Sequence, residues 1–291
     1  MSFKTRFAPS PTGPLHLGHA YSALLAYDMS LAAQGDFVLR IEDIDQTRAR
    51  PQWETQIYDD LAWLGIRWAQ PVMRQSDRLD TYAKALDTLW EQGLLYECRC
   101  TRADIAAATS APQEGAPLLG PDGVIYPGTC RGKHQQTTKR PVDAVLRLNM
   151  AQALHQTSQN TSQPNPLSFH EALHPDHRGV VKANGPHMLR NVGDIVLARR
   201  DMGTSYHLSV VLDDATQGIT DVVRGADLFD ATIIHVILQK ILGLPTPTYH
   251  HHRLIRDENG KRLAKRDDAR AISLFRKEGI MPTEIRSITM D

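Results

Sequence analysis

Arg6-Phe7-Ala8-Pro9-Ser10-Pro11-Thr12-Gly13-Pro14-Leu15-His16-Leu17-Gly18-His19 lies at the start of the chain. Residues 3–8 suit a short strand, the prolines and Gly13 mark a turn, and the apolar run over 17–33 suits a helix. A strand that enters a helix through a stiff turn leaves unsatisfied N–H groups at the helix N-terminus, where an anion such as a phosphate can sit. Gly18 lets a ligand approach the backbone, and His16 and His19 reach the same anion from the first turn. His-x-x-His alone is a weak signal, but its place after a first strand and a Pro-rich turn strengthens it.

The same alternation continues outward. Residues 37–41 read as a buried strand, Trp53, Ile57, Leu61 and Leu64 recur at helical spacing, and a second helical pattern covers 77–92. Strands alternating with helices imply an α/β fold with a parallel, Rossmann-like sheet, whose ligands bind beyond the carboxyl ends of the strands. Residues 109–138 are rich in Pro, Gly, Ala and Gln, and residues 151–166 are polar and aperiodic. From Ile195 the α/β texture returns, with strands near 195–198 and 219–223 and helices from Tyr206 and Leu228. The expected organisation is therefore a catalytic domain from residues 1–95 and 191–291, interrupted by a smaller insertion over 96–190.

The 291 residues carry 33 basic and 33 acidic side chains. This balance argues against a generally basic nucleic-acid coat, yet residues 253–277 hold nine basic and four acidic groups, a cluster that suits a polyphosphate. Three cysteines in a chain of this length do not make a disulfide framework. The N-terminus lacks the apolar core of a signal peptide, and no uncharged apolar run approaches 20 residues, so a soluble cytoplasmic protein with no membrane role is expected.

The segment 6–19 resembles the signature of class I aminoacyl-tRNA synthetases of the glutamate and glutamine branch, with His16-Leu17-Gly18-His19 similar to the His-Ile-Gly-His motif. Val38-Leu39-Arg40-Ile41-Glu42-Asp43-Ile44-Asp45, Tyr206-His207-Leu208-Ser209-Val210-Val211-Leu212-Asp213-Asp214 and Gly218-Ile219-Thr220-Asp221-Val222-Val223-Arg224-Gly225-Ala226-Asp227 resemble later parts of the same domain. Gly260-Lys261-Arg262-Leu263-Ala264-Lys265-Arg266 looks like the class I Lys-Met-Ser-Lys-Ser loop, with Arg262 for the usual lysine and Ala264 for the usual serine. No anticodon-binding region is expected after residue 291, and in this the chain resembles the glutamyl-queuosine tRNA(Asp) synthetase family.

That resemblance implies activation of L-glutamate by Mg-ATP to glutamyl-adenylate and transfer to queuosine in the anticodon of tRNA(Asp). The alternatives are a truncated glutamyl-tRNA synthetase charging the tRNA 3′ end and a non-catalytic tRNA-binding module. His16, His19 and Lys265 would be catalytic, and His16, Gly18, His19, Arg262 and Lys265 would hold ATP. Glutamate brings two carboxylates and an ammonium, so its pocket calls for guanidinium partners, an anion and an orienting hydroxyl. Arg6, Arg224, Glu42 and Tyr206 supply these, and Ala8 and Ser10 line the same loop. These positions match the family's glutamate contacts.

Cys98, Cys100 and Cys130 offer three thiolates for one structural zinc. Ligand chemistry alone favours His134 as the fourth ligand, whereas the family's Tyr-x-x-x-Cys spacing favours Tyr126, which is the assignment expected here. Asp43 and Asp45 are expected to cap or pair locally. His250-His251-His252 is given no metal role, because neighbours on a strand point to opposite faces.

Overall fold

A computed structural model of the chain describes residues 2–109, 119–133, 139–159, 167–255 and 270–290. The first units are β1 (Lys4–Phe7), α1 (Leu17–Ala32), β2 (Asp36–Ile41), α2 (Pro51–Trp63), β3 (Met73–Arg74) and α3 (Leu79–Glu91). β1 and β2 pair in parallel, with Thr5 opposite Phe37 and Phe7 opposite Leu39, and β3 extends the pairing beyond β2. Residues 37–41 of β2 are all buried, as a strand covered on both faces requires. α1 packs small residues inward, among them Ala20, Ala23 and Ala26, which lets the helix approach the sheet closely.

After α3 the chain leaves this sheet. β4 (Leu95–Cys98) is followed by α4 (Arg102–Thr109), the hairpin β5 (Leu119–Gly120) and β6 (Gly123–Val124), β7 (Val145–Leu148) and α5 (Met150–Gln159). β7 pairs antiparallel with β4 on one side and with β10 (Val196–Ala198) on the other. Between α5 and β10 lie β8 (Ser168–Glu171), β9 (Gly179–Lys182) and α6 (Gly185–Asn191). The last part contains α7 (Tyr206–Gln217), β11 (Asp221–Gly225), α8 (Thr232–Ile241), β12 (Thr248–His252), α9 (Ile272–Lys277) and α10 (Pro282–Met290).

β11 and β12 pair in parallel, β8 adds to β12 and β9 closes that edge antiparallel to β8. Strand pairing thus crosses both ends of the expected 96–190 insertion. β8 and β9 join the late α/β strands, whereas β10 pairs with β7 of the insertion. The two parallel sheets meet at β1 and β11, where Thr220 N–H donates to the Lys4 carbonyl at 2.9 Å and Lys4 N–H donates to Thr220 Oγ1 at 2.8 Å. Both ends of the chain therefore build one α/β layer, and its strand order reverses between β1 and β11. Such a reversal opens a crevice at the carboxyl ends of the two strands, the place where ligands of open α/β sheets bind.

Candidate functional site at the β1–β11 junction

The crevice is a cavity of about 370 Å³. Arg6, Ala8, His16, Gly18, His19, Glu42, Tyr206 and Arg224 all line it, although the chain separates the first from the last by more than two hundred residues. Ser10 lies on the loop between β1 and α1 and is not among the lining residues, while Ser22, Asp227 and His252 are. Arg262 and Lys265 fall outside the described residues.

His16 is the N-cap of α1. Its Nδ1 accepts from Gly18 N–H at 3.1 Å, and His19 Nδ1 accepts from His16 N–H at 3.2 Å, so the two rings form a reciprocal capping box. A nitrogen that accepts a backbone N–H carries no proton in the neutral ring, which makes Nε2 the N–H donor of both imidazoles. The ring centroids lie 3.8 Å apart. The arrangement thus offers two neutral N–H donors beside a helix N-terminus. Gly18 has a further reason to be glycine, because a Cβ there would lie 3.0 Å from His16 Cε1 and push the capping ring aside.

Beneath the cavity lies a buried charge lattice. Arg6 Nε and Nη2 donate to the two carboxylate oxygens of Asp214 at 3.0 and 3.4 Å. Arg40 Nη1 donates to Asp214 Oδ1 at 2.7 Å, and Arg40 Nη2 donates to Glu42 Oε1 at 3.1 Å. Burial raises the Asp214 carboxyl, but Arg6 and Arg40 outweigh it and hold the group below its ordinary range. For Glu42 burial wins over Arg40 and Arg6, and its carboxyl is raised. Asp213, next along α7, is fully buried and accepts from Gln75, Arg78 and Tyr82, tying the end of β3 and the start of α3 to α7.

Arg224, at the end of β11, is 5% exposed and makes four hydrogen bonds. Nε reaches His251 Nε2 at 3.0 Å, Nη2 reaches Thr232 Oγ1 at 2.7 Å and the Leu228 carbonyl at 3.3 Å, and Nη1 lies 3.2 Å from His235 Nδ1. His251 Nδ1 lies 2.5 Å from Glu171 Oε2. Burial pushes the Glu171 carboxyl up, but bonds from the His251 ring and from the N–H groups of His251, His174 and Leu173 bring it down to about 2. The guanidinium is thereby aimed, with one Nη1 hydrogen left over by donor count.

The three consecutive histidines divide as strand alternation requires. His250 pairs with Asp221 at 2.8 Å, His251 turns to Arg224 and Glu171, and His252 sits 2.5 Å from Ser22 Oγ on the cavity side. Asp43 accepts from Ser76 N–H, and Asp45 pairs with Thr47 and Arg48.

A second cluster gathers the three thiols. Cys98, at the end of β4, Cys100 and Cys130 have sulfur atoms within 4.8 Å of one another. Tyr126 OH lies 3.3 Å from Cys100 Sγ and accepts from Cys130 N–H at 2.8 Å. A tetrahedral zinc with Zn–S bonds of about 2.3 Å spaces its sulfurs about 3.8 Å apart, so this group fits such an ion. Burial raises the Cys130 thiol, but hydrogen bonds from Tyr126, Arg99 N–H and Cys100 outweigh it and lower it to about 7. Buried Asp194 holds the loop from behind, accepting from Arg131 Nε at 2.7 Å, and Arg147 stacks 3.9 Å from the Tyr126 ring centre. His134 lies outside the described residues.

Residues 2–290 match the family of "tRNA synthetases class I (E and Q), catalytic domain". The chain belongs to the class I tRNA synthetases of the E and Q type. Over 98% of its own length and 98% of the relative's, it is 60% identical to the Glutamyl-Q tRNA(Asp) synthetase of Rhodobacter capsulatus. It is 38% identical to the Glutamyl-Q tRNA(Asp) synthetase of Nocardia farcinica over 98% of the chain and 83% of that relative. Among solved structures it is similar to a glutamate tRNA ligase from Elizabethkingia meningosepticum, at a TM-score of 0.69 and 27% identity, covering 92% of this chain. The chain spans 52% of that ligase, about half its length. Membership of the class I synthetases makes the protein a ligase. No described helix is long and apolar enough to cross a membrane.

In this class I synthetase chain, sequence reasoning gave no role to Arg40, Asp214, His235 or Glu171. Two of them left a trace, since Arg40 interrupts the buried strand 37–41 and Asp214 belongs to a pair of acids within the apolar pattern of α7. A charge in an otherwise buried stretch needs a partner. Glu42, two residues on, is one partner of Arg40, but the sequence does not show the other, Asp214, which lies 174 residues away.

Proposed function

We propose that the chain activates L-glutamate with Mg-ATP and transfers the glutamyl group to queuosine in the anticodon of tRNA(Asp). The observation that carries this reading is the 60% identity, end to end, with a Glutamyl-Q tRNA(Asp) synthetase, against 27% with a glutamate tRNA ligase.

Arg6 and Arg224 take the substrate carboxylates, Glu42 takes the ammonium, and Tyr206 orients the bound amino acid, with Ala8 and Ser10 shaping the loop beside it. The lattice of Asp214 and Arg40 keeps Arg6 and Glu42 in place before substrate arrives, so little reorganisation is needed on binding. ATP lies with its α-phosphate at the α1 N-terminus, where the Nε2–H groups of His16 and His19 donate to phosphate oxygens and Gly18 gives close access. A glutamate carboxylate oxygen attacks the α-phosphorus in line, the bond to the bridging oxygen breaks, and pyrophosphate leaves toward Arg262 and Lys265, which are assigned from sequence. Magnesium entering with the nucleotide supplies positive charge against the phosphates. A hydroxyl of the queuosine cyclopentene ring then attacks the activated carbonyl carbon, and AMP leaves.

Cys98, Cys100, Cys130 and Tyr126 would hold a structural zinc that cross-links the end of β4 to the loop before β7. Four protein ligands leave no open position for chemistry. Catalysis is assigned to residues 1–95 and 191–291, and the metal site to 96–190. Exchange of labelled pyrophosphate into ATP tests the first step. Glutamate drives the exchange, and equal exchange with aspartate or glutamine would contradict the pocket assignment.

A further inference from the structure

Arg224 is backed by a second line of polar side chains that leaves the pocket and ends in the insertion. His235 Nδ1 faces Arg224 Nη1 at 3.2 Å, His235 Nε2 lies 3.0 Å from His207 Nδ1, and His207 Nε2 lies 3.3 Å from Asp122 Oδ1. The guanidinium can only donate, which fixes every proton along the line. His235 accepts at Nδ1 and donates from Nε2, His207 accepts at Nδ1 and donates from Nε2, and the Asp122 carboxylate accepts at the end. Both imidazoles are buried, and burial together with the Arg224 charge pushes His235 well below the ordinary histidine range, keeping it neutral.

Asp122 sits at the turn of the β5–β6 hairpin, with 33% of its side chain exposed. Two close approaches seat that hairpin. A Cβ at Gly120 would lie 2.4 Å from the Asn191 carbonyl oxygen, and a Cβ at Gly193 would lie 2.9 Å from Ile125 Cγ2. The hairpin backbone at Gly120 thus rests directly on the Asn191 carbonyl, and the Ile125 side chain that follows it packs on Gly193.

We infer that Asp122 is a positioning residue for Arg224, acting through His207 and His235, so that the insertion's hairpin sets the donor geometry of the amino-acid pocket. The inference rests on the reading of Arg224 as a glutamate contact. Without Asp122, His207 is free to take the other tautomer. The proton it then places on Nδ1 opposes the Nε2–H of His235, and His235 turns or switches its own proton toward Arg224. The Tyr206 ring, 5.3 Å from His207 and 5.8 Å from His235, feels the same change.

The test is glutamate-dependent pyrophosphate exchange by the full chain, with KM for glutamate and for ATP measured separately. Asp122→Ala is expected to raise KM for glutamate about tenfold, the loss of one charge-assisted hydrogen bond, while KM for ATP stays within about twofold. Asp122→Asn keeps an acceptor oxygen and recovers most of the loss. Because the links act in series, Asp122→Ala added to His207→Phe costs nothing beyond His207→Phe alone. An unchanged KM for glutamate in Asp122→Ala, or an additive double variant, would overturn the inference. A readout independent of turnover is the imidazole NMR spectrum, in which Asp122→Ala must shift the ring N–H of His235, a residue it does not touch. Absence of exchange in the unaltered chain would sink the glutamate reading, and the relay would then stand or fall on that spectrum.

Discussion

The pocket at the β1–β11 junction and the thiol cluster at the end of β4 solve the problem of holding polar groups in two different ways. In the pocket, opposite charges from regular elements neutralise one another. Arg6 and Arg40 come from neighbouring strands, Asp214 comes from a helix, and protein atoms close the links except at Arg40 Nε, which is buried 4.0 Å from Asp213 Oδ2 without a hydrogen bond. In the thiol cluster, a strand end and a loop bring together three sulfurs and a phenol that compete for a few weak hydrogen bonds, braced by Asp194 through Arg131 and by Arg147. A charge lattice can be held almost wholly by protein atoms. A cluster of thiols at this spacing has the geometry to take a metal ion.

The contrast makes the pocket the costlier place to remove one side chain. Asp214→Ala removes the carboxylate shared by two buried guanidinium groups and is expected to destabilise the chain by about 3–5 kcal/mol in urea unfolding. A loss within about 1 kcal/mol would mean that the lattice is not buried as described, and the comparison would break.

Acid sharpens the same point. The Glu171 carboxyl stands at about 2 in the folded chain against an ordinary 4.5, and burial is overcome by its bonds to His251 and to backbone N–H groups. A carboxyl lowered on folding adds stability that is fully present above about pH 4.5 and is lost as pH falls toward about 2, on the order of 3 kcal/mol here. Glu171→Gln should flatten that limb of the stability profile. An unaltered acid limb would remove Glu171 from the anchoring of Arg224.

The smallest effect on the pocket is expected from the thiol side. If zinc is bound as proposed, Cys130→Ser should reduce it from about one ion per chain to near zero, as measured by metal analysis, and expose the end of β4 and the loop around Cys130 to protease. Glutamate-dependent exchange should fall much less than it does in Arg6→Ala. Equal losses would mean that the two regions form one cooperative unit.

The sequence was most informative where structure is local and periodic. The Pro-rich turn into α1 and the buried β2 carry their meaning within a few residues, so the α/β architecture and the His16–His19 helix start could be read there, while Glu42, Tyr206 and Arg224 were reached through the family resemblance. β8 and β9 escaped, because four-residue strands flanked by histidines, prolines and charges give no clear alternation, and β8 pairs with β12 at a single register position, Glu171 opposite Tyr249. The partners of Arg224 escaped for another reason. His235 and His251 are brought to it by topology, and a histidine within an apolar helix reads as core until the fold puts a guanidinium against it. Arg6 was read as a contact for substrate, and the structure adds that the same side chain ties β1 to α7.

The central claim, that the acceptor is queuosine, is tested most directly by transfer of labelled glutamate with ATP to tRNA(Asp) that contains or lacks queuosine. The account predicts label on the queuosine-containing tRNA only. Equal label on tRNA lacking queuosine would contradict it and point to the tRNA 3′ end.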